Sequence, residues 1–170
     1  MSQGTGRPHS LKGFLLMLEG RHYQNAYVTR NLDKAVAEFT ARADARSVAV
    51  FEATTEVLTG EGRKSQALKM AFIWVGDLQY EFIEPVTEAV PVFSTWLPDG
   101  DVPRFHHSCA RVDDWADFRR RVDEQPYPVV FEGASGEELK FLYLDTRELL
   151  GHYLEYAWMT PGRWLQLGGR

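Results

Sequence analysis

The sequence predicts an α+β fold made of two tandem units, each consisting of one strand, one helix and three further strands. The first observation is a strand pattern at 22–29 followed by helical spacing of apolar residues at 31–43. The second is the return of the same two patterns at 105–112 and 113–125. The third is their common register: "YQNAYVTRNLDKAVAEF" aligns with "HHSCARVDDWADFRRRV", and "ALKMAFI" aligns with "ELKFLYL".

In the first unit, Asn31 is the expected N-cap of the helix, with Asp33 in the first turn. Three strands follow, at 47–58, 66–75 and 78–86. The two glycines of "TGEGRKS", residues 59–65, predict a turn, and Gly76-Asp77 predicts a hairpin.

In the second unit, acidic residues open the helix, and Trp115, Phe118 and Val122 share one apolar stripe. Three strands follow, at 127–133, 138–145 and 151–159. A four-stranded sheet with one helix buries only one face well, so the two units are expected to complete a single core together.

These elements set the expected division of the chain. The segment between the units holds three prolines and a glycine, which indicates a connector. The expected parts are an N-terminal arm at 1–20, a first module at 21–90, a linker at 91–104, a second module at 105–160 and a C-terminal tail at 161–170.

Composition excludes several classes of function. The net charge of −5 argues against a nucleic-acid partner, because phosphate binding requires a basic surface. No run of about 18 apolar residues is present, so a membrane-spanning segment is not expected. The single cysteine, Cys109, excludes an internal disulfide framework and fits a reducing compartment. We expect a cytoplasmic protein whose partner is a small molecule.

Two adjacent histidines begin the second unit, within "FHHSCARV". Neighbouring side chains on a strand point to opposite faces. Alternation therefore places His107 on the face shared by Cys109 and Arg111, and His106 on the face toward the helix.

The chain resembles the vicinal oxygen chelate superfamily over roughly residues 22–159. "HHSCARVDD" is similar to that family's strand-to-helix junction, "QYEFIEP" to its acidic strand, and "YLDTRELLGHYLEYA" to its closing hairpin. The family includes glyoxalase I, methylmalonyl-CoA epimerase, extradiol dioxygenases and bleomycin-resistance proteins. The resemblance implies a cupped mixed β-sheet with helices on its outer face.

The resemblance also implies one divalent metal ion in the concave face, held by the first and last strand of each unit. Carried over position by position, the ligands are Gln24, Glu81, His107 and Glu155. One imidazole with three oxygen donors suits Zn, Ni, Co, Mn or Fe(II).

The chemistry implied is that of an isomerase, epimerase or lyase, in which the metal stabilises an enolate and a carboxylate moves a proton. Glu155 is the expected catalytic base and Glu81 its counterpart on the opposite side. Arg111 and Arg147 are expected to hold an anionic substrate. The many aromatic residues, Tyr153 among them, suggest that the oxygenated substrate is small or ring-bearing.

Two other functions stay open at this point. A bleomycin-resistance type of protein sequesters a bulky ligand without chemistry, and such proteins often lack the metal ligands. A ring-cleaving dioxygenase is disfavoured, because Gln24 stands where the first histidine of its two-histidine, one-carboxylate set would be. All three functions predict a homodimer.

Overall fold

The computed structural model describes residues 19–170, so the predicted N-terminal arm lies almost entirely outside the described residues. Within them the strands are β1 (Arg21–Val28), β2 (Ala45–Thr59), β3 (Gly62–Val75), β4 (Leu78–Thr87), β5 (Arg104–Arg111), β6 (Val129–Ser135), β7 (Leu139–Leu144) and β8 (Tyr153–Met159). The helices are α1 (Leu32–Thr40), α2 (Trp115–Val122), α3 (Arg147–Leu150) and α4 (Pro161–Gln166).

The predicted repeat is confirmed, and the chain is α+β. The order β1-α1-β2-β3-β4 is followed by β5-α2-β6-β7-β8. Both long helices begin at a side-chain cap. Asn31 accepts a hydrogen bond from the backbone N–H of Lys34, and Asp114 accepts one from that of Asp117.

The eight strands form one mixed sheet that closes on itself in the order β1-β4-β3-β2-β6-β7-β8-β5. The first and last strands of each unit are parallel to each other, and the remaining pairs are antiparallel. Two seams join the units. β1 pairs with β5 along its whole length, whereas β2 pairs with β6 only at Val57–Thr59.

The two long helices lie outside the sheet, as predicted. Leu32 and Ala35 of α1 pack with Ile73 and other residues on the outer face of the first half. Phe118 and Val122 of α2 belong to the corresponding apolar cluster of the second half. A separate cluster fills part of the space inside the sheet; it includes Ala26, Val28, Val57, Phe131 and Tyr143.

The hairpin of β2 and β3 is longer than predicted. Residues 62–65, predicted as part of a turn, belong to β3, and the turn is confined to Gly60 and Glu61. This part of the hairpin is partly or fully exposed, so its polar side chains carry no apolar alternation that could mark a strand. The region predicted as a tail contains α4, which Thr160 caps by accepting from the N–H of Arg163. No helix in residues 19–170 has the length and apolar character needed to span a membrane.

Candidate metal centre

Three of the four predicted ligand side chains meet inside the closed sheet. Nε2 of His107 lies 3.0 Å from Oε2 of Glu155 and 3.5 Å from Oε2 of Glu81. One ligand atom from each residue lies within 4.8 Å of the others. Two donors bound to one cation at about 2.1 Å in a tetrahedral arrangement are about 3.4 Å apart, so this spacing suits a shared ion.

The strand register brings these side chains together from distant parts of the chain. Ala26 of β1 is the partner of Glu81 on β4 and also of His107 on β5. Cys109, two residues after His107, is the partner of Glu155 on β8. Ala26 and Cys109 are small, so they leave the space between the three larger side chains open.

Burial makes this cluster electrostatically unusual. His107 is fully buried and Glu81 is 4% exposed. Burial alone would lower the pKa of His107, but the hydrogen bonds and negative charges of Glu155 and Glu81 raise it to about 9. Burial raises the pKa of Glu81, against the opposing effect of His107. The positive charge of a protonated His107 thus balances the two carboxylates, as the charge of a bound cation would.

The prediction that His106 faces the helix is wrong. The pairing of β1 with β5 shifts by one residue between Ala26 and Tyr27, which are partners of His107 and Phe105, and this leaves His106 unpaired as a β-bulge. The bulge breaks the alternation, so both histidine rings point inward. Their Nδ1 atoms are 2.8 Å apart, and His106 is fully buried.

The contacts of His106 determine which nitrogen of His107 keeps its hydrogen when this side chain loses a proton. Nε2 of His106 lies 3.2 Å from the carbonyl oxygen of Val92, which can only accept, so this Nε2 carries a hydrogen. Burial and the charge of His107 lower the pKa of His106, which keeps it neutral with a free lone pair on Nδ1. His107 therefore donates from Nδ1 to His106, and its Nε2 is the atom available to a metal ion.

The fourth predicted ligand, Gln24, lies beside this cluster in an amide pair. Its Nε2 donates to Oε1 of Gln79 over 2.7 Å, and both residues are buried. Among the described residues, Oε1 of Gln24 and Nε2 of Gln79 have no hydrogen-bond partner. Leaving a buried polar atom unpaired costs about 1–3 kcal/mol, which indicates that something else satisfies these two atoms.

A cavity of about 160 Å³ leads to the cluster. Glu81, Glu155 and Gln79 line it together with mostly apolar side chains. Residues of β2 that precede its short pairing with β6 also line it, among them Phe51, which is 36% exposed. The cavity therefore reaches solvent beside the part of β2 that has no partner on β6.

Comparison with known proteins agrees with this architecture. A family model described as the glyoxalase/bleomycin resistance protein/dioxygenase superfamily matches residues 23–143. The chain belongs to this superfamily. No match was found among curated proteins.

Solved structures of the superfamily share the fold at low sequence identity. Methylmalonyl-CoA epimerase from Mycobacterium tuberculosis is 15% identical with a TM-score of 0.62, covering 84% of this chain and 90% of that one. A Streptomyces coelicolor methylmalonyl-CoA epimerase, in complex with 2-nitronate-propionyl-CoA, is 15% identical with a TM-score of 0.59, covering 84% and 96%. At these identities the likeness shows the fold alone.

One residue close to the candidate metal centre of this protein was not among the predicted site residues. The hydroxyl of Tyr143 lies 3.2 Å from Nε2 of His107. Burial raises the pKa of Tyr143, and the charges of Glu155 and Glu81 raise it further. Tyr143 faces Glu155 because the two are register partners on β7 and β8. The sequence signal for its position is the spacing of two residues from Phe141, because residues two apart on a strand share one face.

The three residues predicted to bind substrate, Arg111, Arg147 and Tyr153, do not line the cavity. Arg111 lies over the ring of Trp164 in α4, with its Cζ 4.1 Å from the ring centroid. Arg147 pairs with Asp145 at 2.7 Å, and its Cζ lies over the buried Tyr153 ring, 4.8 Å from the ring centroid. That ring stacks on His106 at a centroid distance of 4.9 Å, so Tyr153 supports the histidine pair.

Proposed function

We propose that this protein is a metal-dependent enzyme that moves a proton on the carbon next to a carbonyl group, as an isomerase, epimerase or lyase. The observation that carries the proposal is the meeting of Glu81, His107 and Glu155 beside a mostly apolar cavity. The substrate is a small or ring-bearing oxygenated compound.

The side chains present fit one divalent cation. Glu81, Glu155 and Nε2 of His107 supply three donors, and Oε1 of Gln24 is a buried acceptor with no partner among residues 19–170. This set of one nitrogen and three oxygens suits Zn, Ni, Co, Mn or Fe(II). The bound ion would act as a Lewis acid that polarises a carbonyl oxygen.

Glu155 is the residue proposed to move the proton. Its side chain is 12% exposed against 6% for Glu81, and it lines the cavity, so a substrate can reach its carboxylate. Glu81, whose Oε2 lies 3.5 Å from Nε2 of His107, would serve as the second proton-transfer group. A pair of carboxylates on two sides of one carbon is what an epimerase requires.

Apolar surroundings support this chemistry by excluding water. The cavity beside Glu155 includes Phe93, Phe131 and Ala157, and such a lining strengthens charge interactions within it. The Tyr143 hydroxyl, close to His107, is positioned to donate a hydrogen bond to a substrate oxygen or to Glu155.

Two alternatives are outcomes of the same test. A ligand-sequestering protein of the bleomycin-resistance type would bind a ligand in the cavity without a metal. A ring-cleaving dioxygenase would consume oxygen with a catechol, although the first-strand position holds Gln24 in place of a histidine. The predicted homodimer and the predicted cytoplasmic location stay predictions.

The first experiment is metal analysis of the purified protein before and after chelation and reloading. We expect about one divalent ion per chain. Proton exchange with deuterated water is then followed by NMR for a panel of small enolisable ketones and aldehydes. We expect exchange on the carbon next to the carbonyl to require the ion.

The matched pair of variants is Glu155→Gln and Glu56→Gln. Glu56 is an exposed carboxylate on β2, so its change is expected to leave both metal content and exchange unaltered. Glu155→Gln should keep the ion and lose most of the exchange. A wild-type protein that never takes up metal would replace this proposal with the sequestering function, and oxygen consumption with catechols would replace it with the dioxygenase.

A further inference from the structure

We infer that the cavity receives a single aromatic ring carrying a ketone or aldehyde group, whose oxygen accepts a hydrogen bond from Gln79. The inference names the substrate class of the proposed function and rests on it for the chemistry. The binding part depends only on the cavity itself.

The ring follows from the lining of the cavity. Seven aromatic side chains line it: Tyr23, Phe51, Phe72, Phe93, Phe131, Phe141 and Tyr143. Aromatic rings prefer edge-to-face or offset contacts with one another, and Phe131 already stacks on Tyr143 with centroids 4.6 Å apart. A flat ring entering this space meets ring faces and edges on several sides.

The number of rings follows from the volume. A cavity of about 150 Å³ lined by apolar side chains holds one benzene molecule. The cavity of this protein is about 160 Å³. One ring with a short substituent fills this volume, and a second fused ring would exceed it.

The oxygenated end follows from Gln79. This side chain lines the cavity two residues before Glu81 on the same face of β4, and it is 1% exposed. Its Oε1 is occupied by Gln24, and its Nε2 has no acceptor within residues 19–170. A substrate oxygen at this position would satisfy the unused buried donor beside the proposed proton-transfer carboxylates.

Charge limits what the ring can carry. Among the residues that line the cavity in the described part of the chain, Arg163 is the only one with a positive charge, and two are carboxylates. A group bearing several phosphates would find almost no compensation inside this space. We therefore expect the part of the substrate that enters the cavity to be uncharged or to carry one negative charge.

The experiment compares four probes by calorimetry and ligand-detected NMR, with and without one equivalent of zinc. The probes are acetophenone, acetone, methyl naphthyl ketone and toluene. Acetophenone should bind at least about tenfold more tightly than acetone, because only its ring removes a large apolar area from water. It should also bind at least about tenfold more tightly than methyl naphthyl ketone, because the second ring exceeds the volume.

Two variants on neighbouring positions of β2 form a matched pair. Ala53 lines the cavity, so Ala53→Phe fills it and should weaken acetophenone binding at least about tenfold. Thr54 is exposed, so Thr54→Phe makes the same addition outside the cavity and should leave binding unchanged. Gln79→Met keeps the side-chain volume and should weaken acetophenone about tenfold while sparing toluene, which has no oxygen.

The outcomes separate this inference from the proposed function. Metal uptake together with equal binding of acetophenone and acetone overturns the inference and leaves the enzyme proposal intact. Equal effects of Ala53→Phe and Thr54→Phe overturn it as well. Ring-selective binding in a protein that takes up no metal supports the ring site and overturns the enzyme proposal.

Discussion

Metal binding is expected to strengthen steeply as pH rises, because His107 must lose a proton first. The two carboxylates raise the pKa of His107 to about 9. A metal ion needs the lone pair that this proton occupies on Nε2. At pH 7, two pH units below that pKa, only about 1% of the metal-free protein has His107 deprotonated.

The magnitude follows from this fraction. The apparent affinity for Zn²⁺ should rise about tenfold per pH unit, which is about 100-fold between pH 6.5 and pH 8.5, and level off near pH 9. The pKa of Glu81 is also raised, so any proton it holds is released on binding and acts in the same direction. Binding near neutral pH should release at least about one proton per ion.

The assay is competition with a chromophoric chelator across this pH range, combined with calorimetry in buffers of different ionisation enthalpy. His22→Ala, which removes an exposed histidine, is the matched control and should leave the profile unchanged. An affinity that stays flat between pH 6.5 and pH 8.5, with no proton release, would refute the assignment of His107 as an ionised ligand residue.

Three further predictions concern single side chains. His106→Ala removes the acceptor for Nδ1 of His107 and should lower zinc affinity about 10- to 100-fold in the same competition assay. His106→Gln can accept that hydrogen bond and should recover part of the affinity. Equal affinity in the wild type and both variants would contradict the tautomer argument. Tyr143→Phe removes a hydroxyl 3.2 Å from Nε2 of His107 and should slow deuterium exchange about tenfold with full metal content, and an unchanged rate would exclude a role for this hydroxyl. Gly133→Ala would place a Cβ 2.6 Å from Cζ of Phe141 and should lower the free energy of unfolding by about 1–3 kcal/mol in urea titrations, so an unchanged midpoint would show that the ring moves freely.

The repeat could be predicted because two independent features of the sequence indicate it. Apolar spacing of 3.6 residues identifies both long helices, and the strand-to-helix junctions of the two units align residue by residue. That alignment also places Gln24 and His107 at equivalent positions. Glu81 and Glu155 follow from the resemblance of their strands, and the structure brings both to His107.

The parts that could not be predicted depend on contacts between strands. Strict alternation fails at His106 because a bulge arises from the pairing of β5 with β1, which the local sequence does not encode. Tyr143 approaches His107 through the register of β7 with β8. Arg111 shares a strand with His107, yet its guanidinium is drawn to the Trp164 ring, which belongs to a helix that was not predicted.

The proposed ligands belong to different halves of the chain: Glu81 comes from the first repeat, whereas His107 and Glu155 come from the second. An ion shared among them would be a cross-link between the two repeats, in addition to the pairing of their strands. If the chain were cut in the connector and the two fragments were mixed, Zn²⁺ at 100 times its dissociation constant would strengthen their association by about 2.7 kcal/mol. The affinity of one fragment for the other would then become a direct measure of ion binding.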